Sequence, residues 1–172
     1  MERSNNGINQ EIQIMLGIPL DQKQKFMYEW LNKNYEEVKI SKLSELPNDL
    51  SSIIKNLVKR LDLQMKECYC NVCKFMTNSF NFKNYQVHYI EGRITCVGIP
   101  IDHAWLKFIS EERKEYYFDP TIELVLNRDV KEGTYVKFLD WDRNKTVETL
   151  LDKQVYGAWM YDEIAKEYEQ SH

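Results

Sequence analysis

The chain has 172 residues, of which 43% are apolar and 29% charged, and its formal net charge is −4 at neutral pH. This length favours one domain, residues 1–172, with enough chain for a hydrophobic core. The charge balance excludes the basic surface of a nucleic-acid-binding protein, and no apolar run approaches the ~20 residues of a membrane helix. We therefore expect no nucleic-acid or membrane partner, and we predict a cytoplasmic location because no signal-peptide pattern follows the polar start.

Helical patterns fill the first part of the chain. Residues 1–10 are polar and are expected to fray. Residues 21–40 are predicted as a helix with Asp21 as its N-cap, because apolar residues recur there at helical spacing. A second helix follows Pro47 and carries an apolar stripe at i, i+3, i+4 and i+7. A third helix is expected to begin near Glu67.

The pattern then changes to period two, which is typical of strands. The predicted strands are residues 84–95, 101–110, 115–120 and 133–141. Two further helices are predicted at residues 145–152 and 155–170. Helices, a strand meander and helices again indicate an α+β domain with an antiparallel sheet of about four strands.

Three of the four cysteines, Cys68, Cys70 and Cys73, crowd into six positions, and Cys96 is the fourth. A disulfide scaffold would spread its cysteines along the chain, so we expect reduced thiols. The cluster then has three explanations: catalysis, a zinc site completed by Cys96 or His88, or core packing. Structural zinc sites usually pair two short knuckles, and the second is scattered here. We therefore expect no metal, with zinc on Cys68, Cys70, Cys73 and Cys96 as the alternative.

Cys68 falls in the first turn of a predicted helix, where the partial positive charge favours a thiolate. His103 lies on a predicted strand, from which its ring would take the proton of a thiol. Asp119 ends the next strand and would fix the tautomer of that ring. A hairpin centred near residue 111 pairs positions that sum to about 222, which places His103 opposite Asp119.

The motifs "CYCNV", "YIEG", "HAW" and "YYFDPT" resemble, in this order, the core of the transglutaminase-like group of papain-like cysteine enzymes. The resemblance covers residues 66–122, which would form the catalytic core. It implies a papain-like fold in which Cys68 is the nucleophile, His103 the general base and acid, and Asp119 the orienting carboxylate. In that group the residues before the nucleophile are small, often glycine, whereas this chain has Lys66 and Glu67.

Four further residues are candidates for the oxyanion site or the cleft. Gln64 is a possible side-chain donor for the oxyanion, beside the backbone N–H of Cys68. Trp105 shares the strand face of His103 and would be either the wall of the cleft or a core residue. Glu91 would be solvated or line the site, next to a glycine expected at the strand end. Asn71 would be a surface residue, or else would steady the cysteine loop.

We therefore expect a cysteine-dependent acyl-transfer enzyme that needs no cofactor and acts on a protein or peptide substrate. Hydrolysis, deamidation and amide transfer are equally compatible with the triad, because the acceptor is selected by the cleft. A catalytically inactive papain-like fold that binds a partner protein is the first alternative, since fold does not fix function. A zinc-stabilised module is the second.

Overall fold

The structure is a computed structural model that describes residues 20–96 and 98–171, with no account of the Cys96 side chain. These residues divide into two units, residues 36–160 and a smaller unit made of residues 20–35 and 161–171. The frayed segment predicted at residues 1–10 lies outside the described residues. The α+β class with N- and C-terminal helices is confirmed.

Helix α1 spans Gln22–Lys33 in the smaller unit. Its predicted N-cap is confirmed, because the Asp21 carboxylate accepts from the N–H of Gln24 at 2.7 Å and the Gln24 side chain returns the bond to Asp21. The prediction that the helix continues to residue 40 is wrong. It stops at Asn34, whose side chain donates to the carbonyl of Trp30, and a strand follows.

The other helices are α2 (Asn48–Val58), α3 (Cys68–Thr77), α4 (Arg143–Lys153) and α5 (Trp159–Ser171). Helix α3 begins next to the predicted position, with Cys68 as its first residue. Helix α5 begins four residues later than predicted. The reason is local, since Gly157 and Ala158 have φ of 70° and 58°, which no right-handed helix contains.

Within the described residues the sheet has five strands, where about four were predicted. They are β1 (Glu36–Val38), β2 (Tyr85–Cys96), β3 (Ile99–Ser110), β4 (Glu115–Phe118) and β5 (Thr134–Trp141). Every pairing between the strands is antiparallel, in the order β1-β5-β2-β3-β4. The sheet curls until its two edges meet, where Ile40 bridges to Tyr117 and the N–H of Ser41 donates to the Tyr117 carbonyl at 2.8 Å.

Gly92 explains how the sheet stays closely packed in its middle. A bulge interrupts the β2–β5 ladder between Glu91 and Gly92. A Cβ atom at position 92 would lie 1.9 Å from the carbonyl oxygen of Val136 and 2.7 Å from the Trp105 ring. Gly92 therefore allows a close approach between the two backbones. The expected strand end is wrong, because β2 continues to Cys96.

The two faces of the curled sheet carry separate apolar clusters. The outer face packs against α2, α3 and the start of α5, in the larger cluster that includes Phe75, Leu106 and Trp159. The inner face holds the smaller cluster, which includes Trp105 and Tyr135. No helix among the described residues combines the length and the apolar character needed to cross a bilayer.

Candidate active site

Cys68 is the first residue of α3 and is partly buried. Backbone N–H groups in the first helical turn have no intrahelical acceptor, so this end of α3 is an electropositive surface. The chain enters it through Lys66, whose φ is 64°. Glycine adopts this left-handed conformation most easily, but a lysine occupies the position here.

His103 and Asp119 are in direct contact. His103 Nε2 lies 2.6 Å from Asp119 Oδ2, and both side chains are almost completely buried. An ionised carboxylate only accepts, so Nε2 carries the proton. The predicted register was wrong by two, because Leu106 pairs with Phe118 and the paired positions sum to 224. Asp119 still reaches His103, because it lies in the turn just after β4.

The Asp119 carboxylate is held by neutral donors. Oδ1 accepts from the N–H groups of Thr121 at 2.9 Å and Ile122 at 3.0 Å. Oδ2 accepts from the hydroxyl of Tyr135 at 2.9 Å, in addition to His103. These donors fix the carboxylate without neutralising its charge. The negative charge of Asp119 therefore acts on the imidazole.

Cys68 acts on the charge of the imidazole together with Asp119. Burial opposes a charge on His103, but the adjacent Asp119 and hydrogen bonds with Asp119 and Cys68 raise the pKa of His103 to about 10. Because Nε2 faces Asp119, Nδ1 is the nitrogen available to the Cys68 sulfur. The structure thus brings together the three side chains selected from the sequence, in the order thiol, imidazole, carboxylate.

Comparison with protein-family models, with curated proteins and with solved structures found no match to this chain.

Asn71 connects the loop before Cys68 to the turn that contains Asp119. It is fully buried on α3, one turn after Cys68. Its side chain accepts from the N–H of Gln64 at 2.9 Å and donates to the Gln64 carbonyl at 2.8 Å. The same amide donates to Thr121 Oγ at 3.1 Å, next to the Asp119 turn. The expected surface position is wrong, and the alternative is supported, since Asn71 fixes the loop before the cysteine.

Trp105 forms the inner wall behind His103. Its ring is buried and stacks on the imidazole with centroids 6.2 Å apart and planes at 26°. Tyr135 packs edge-on against the same indole at 5.3 Å. Sequence reasoning missed Tyr135, although the hydroxyl holds Asp119. Its strand was predicted, but nothing in one sequence shows which strand residue will point at a carboxylate 16 residues away.

Glu91 is buried and lies outside the contact of Cys68 with His103. Its carboxylate accepts from the N–H groups of Trp159 at 3.0 Å and Met160 at 2.8 Å, and also from the Tyr89 hydroxyl. It therefore caps the first turn of α5. The expectation of a solvated residue is wrong, and its role is to hold the chain before α5 against the sheet.

The remaining candidates stay outside the site chemistry that the structure describes. Gln64 is exposed and is tied to Asn71 through its backbone. Cys73 is fully buried, and burial, with Cys70 and Glu91 nearby, raises its pKa to about 12. Cys68, Cys70 and Cys73 are free thiols. Within the described residues, which exclude the Cys96 side chain, no group of three or more His, Cys, Asp or Glu could hold a metal ion.

Proposed function

We propose that the chain is a cysteine-dependent acyl-transfer enzyme with a papain-like, transglutaminase-like core, acting on an amide or ester carbonyl of a protein or peptide. The observation that carries the proposal is the 2.6 Å contact of the buried His103 ring with Asp119, on an imidazole whose pKa Cys68 also raises. A thiol, an imidazole and an orienting carboxylate in this order are the parts of a nucleophilic catalyst.

The charge of the ring supports the first step. With a pKa of about 10, His103 is an imidazolium at neutral pH, and a neighbouring cation stabilises a thiolate. The Cys68 sulfur would attack the carbonyl carbon, forming a C–S bond and an oxyanion. The oxyanion would accept from the N–H of Cys68 at the start of α3. Asp119 would keep Nε2 protonated and Nδ1 directed at the sulfur.

Proton transfer completes the cycle. His103 Nδ1 gives its proton to the leaving amine or alcohol, and the C–N or C–O bond breaks to leave a thioester on Cys68. Water or an amine then attacks the thioester and gives a proton back to Nδ1. The thiolate leaves as the C–S bond breaks, and the ion pair is restored. Water as acceptor gives hydrolysis or deamidation, and an amine gives amide transfer.

An activated ester tests this proposal without a known substrate. We expect p-nitrophenyl acetate to release nitrophenol in a burst and to leave an acetyl group on Cys68, detected by mass spectrometry after acid quenching. Cys68→Ala should abolish the burst. Cys70→Ser is the matched control, since it changes a thiol of the same helix turn, and it should keep the burst. Equal acetylation of Cys68 and Cys70 would refute the enzyme and favour a protein-binding module.

A further inference from the structure

Large apolar side chains are exposed on the chain segments that flank the proposed site. They are Met65, Ile99, Ile101, Val155 and Tyr156, each between 52% and 65% exposed, and together they are called the apolar rim. A single exposed apolar residue is ordinary. Several around one nucleophile indicate a binding surface.

One side of the rim is the end of the β2–β3 hairpin. Side chains alternate along a strand, so Ile99 and Ile101 lie on the same face of β3 as His103. The ladder continues past His103, where Ile101 pairs with Ile94. Met65 adds to the rim from the turn three residues before Cys68.

The other side is the segment 154–158 between α4 and α5, called the strap. Gly157 lies directly on the Tyr69 ring, because a Cβ atom there would be 2.0 Å from Tyr69 Cγ. Tyr69 follows Cys68 in the first turn of α3. The strap therefore places Val155 and Tyr156 beside the N-terminal end of α3.

The strap displays these side chains on a strained, fixed backbone. Gln154 and Ala158 have φ of 53° and 58°, and a left-handed conformation costs a non-glycine residue about 1 kcal/mol or more. The strap is held at both ends, by the bond from Gln154 N–H to the Leu150 carbonyl and by the Glu91 carboxylate, which caps α5. Gln154 ends α4 in the left-handed conformation that commonly terminates a helix, and the strap is therefore fixed beside the proposed nucleophile.

We propose that the apolar rim binds large apolar side chains of an extended peptide next to the residue whose carbonyl reacts. This inference rests on the proposed function, because the nucleophile defines where the peptide lies. Lys66 and Glu67 put both signs of charge next to Met65, so the charge there favours neither sign of substrate. The apolar side chains come from separate segments interrupted by these polar residues, which suits the side chains of a peptide better than one lipid chain.

Three thiol reagents test the inference. Acetyl-Phe-Phe-Gly chloromethyl ketone carries two apolar side chains, acetyl-Ser-Ser-Gly chloromethyl ketone carries none, and iodoacetamide has no peptide. In the first two the thiolate displaces chloride and forms a C–S bond. We expect the Phe reagent to alkylate Cys68 of the full chain at least about tenfold faster than the Ser reagent, since one buried aromatic side chain supplies at least that factor.

Variants of the rim residues test which side chains produce the preference for the Phe reagent. Val155→Ser with Tyr156→Ser should reduce the Phe/Ser rate ratio to within about twofold, and Ile101→Ser should reduce it independently, while the iodoacetamide rate stays unchanged. Phe80→Ser is the matched control, because Phe80 is 68% exposed but follows the C-terminal end of α3. That variant should keep the full ratio.

The outcomes separate the two proposals. If iodoacetamide labels Cys68 in preference to Cys70 but the rim variants keep the Phe/Ser ratio, the rim is not the binding surface and the proposed function stands. Equal rates for the two peptides in the unmodified chain also overturn the rim. If iodoacetamide does not prefer Cys68, the proposed function itself fails and the rim fails with it.

Discussion

Two histidine–aspartate pairs lie on the inner face of the curled sheet, and they differ in what surrounds them. His103 bonds Asp119 at 2.6 Å, and His88 bonds Asp140 through Nδ1 at 2.7 Å. His88 pairs with Lys107 across the β2–β3 ladder, so both histidines belong to the same face, with Trp105 between Lys107 and His103 on β3. The structure buries most of the His88 side chain.

The two carboxylates differ in the charge of their other hydrogen-bond donors. Asp140 accepts from Lys107 and, at 3.2 Å, from Lys137. Burial alone would raise the pKa of Asp140, but hydrogen bonds from His88 and Lys107, with the charges of both lysines, hold it well below its usual range. Asp119 instead has neutral donors, so its charge is compensated by His103.

The surroundings of the carboxylate therefore decide which histidine–aspartate pair is a catalytic candidate. Two lysines already compensate the charge of the Asp140 carboxylate, and no cysteine contact is described for His88. A carboxylate held by neutral groups keeps its partner imidazole charged, and that imidazole meets a thiol. The pair His88–Asp140 is therefore a structural network, and it supplies matched controls for His103–Asp119.

The largest expected effect is the loss of the base. His103→Ala should slow acetylation of Cys68 by p-nitrophenyl acetate on the order of 10³-fold, because the thiolate loses its cation and its proton carrier. His88→Ala should leave the rate within about twofold. Circular dichroism establishes that both variants fold, and equal losses in the two variants would erase the distinction between the pairs.

Replacing the carboxylates gives a smaller effect in the same direction. Asp119→Asn should lower the acetylation rate on the order of 10²-fold, since an amide can hold the ring in the wrong tautomer and cannot stabilise its charge. Asp140→Asn should change thermal stability and not the rate, because it removes the negative charge that two lysines share. A rate loss in Asp140→Asn alone would reverse the roles assigned to the two pairs.

The residue that sequence reasoning missed should matter less. Tyr135→Phe removes one hydrogen bond to Asp119, and a bond to a charged group is worth about 1.5–3 kcal/mol, so we expect the rate to fall about tenfold. Tyr117→Phe removes a hydroxyl that bonds Glu115 at 3.2 Å in the other network. It should leave acetylation unchanged, and a fall as large as that of Tyr135→Phe would count against the separation.

The last effect concerns stability and not rate, and it is the dependence of stability on pH. The pKa of His103 is raised in the fold to about 10 from an ordinary 6.5, so its contribution to stability is complete below about pH 6.5. It is lost as pH rises towards 10, at no more than about 1.4 kcal/mol per pH unit. Urea unfolding should therefore show a steeper decline between pH 7 and 10 for the unmodified chain than for His103→Gln. Parallel declines would contradict the raised pKa.

The sequence predicts the parts of this site better than their connections. Helix α3 and strands β2–β5 follow from strong periodicity, and Cys68 and His103 are where that periodicity places them. Strand β1 was missed because a strand of three residues is too short to show an alternation of apolar and polar side chains. The register error at β4 had no consequence, because Asp119 lies in a turn free of the ladder.

The burial of individual polar side chains was harder to predict than the elements that carry them. Helical spacing cannot show that Asn71 faces a loop, and strand alternation cannot show that Glu91 meets the start of α5. Asn71 bonds the backbone of Gln64, outside its own helix. Glu91 bonds the backbone at the start of α5, far away in sequence. The helix predicted over residues 155–170 failed at the strap because its apolar residues mimic an amphipathic helix while Gly157 sits on Tyr69.

The most direct test is a titration of the His103 ring by NMR with labelled histidine, in the unmodified chain and in Cys68→Ala. We predict that His103 stays protonated until about pH 10 in the unmodified chain, and that its pKa falls in Cys68→Ala because the sulfur contributes to the shift. A ring that titrates near 6.5, or one that does not respond to loss of the thiol, would contradict a single assembly of Cys68, His103 and Asp119.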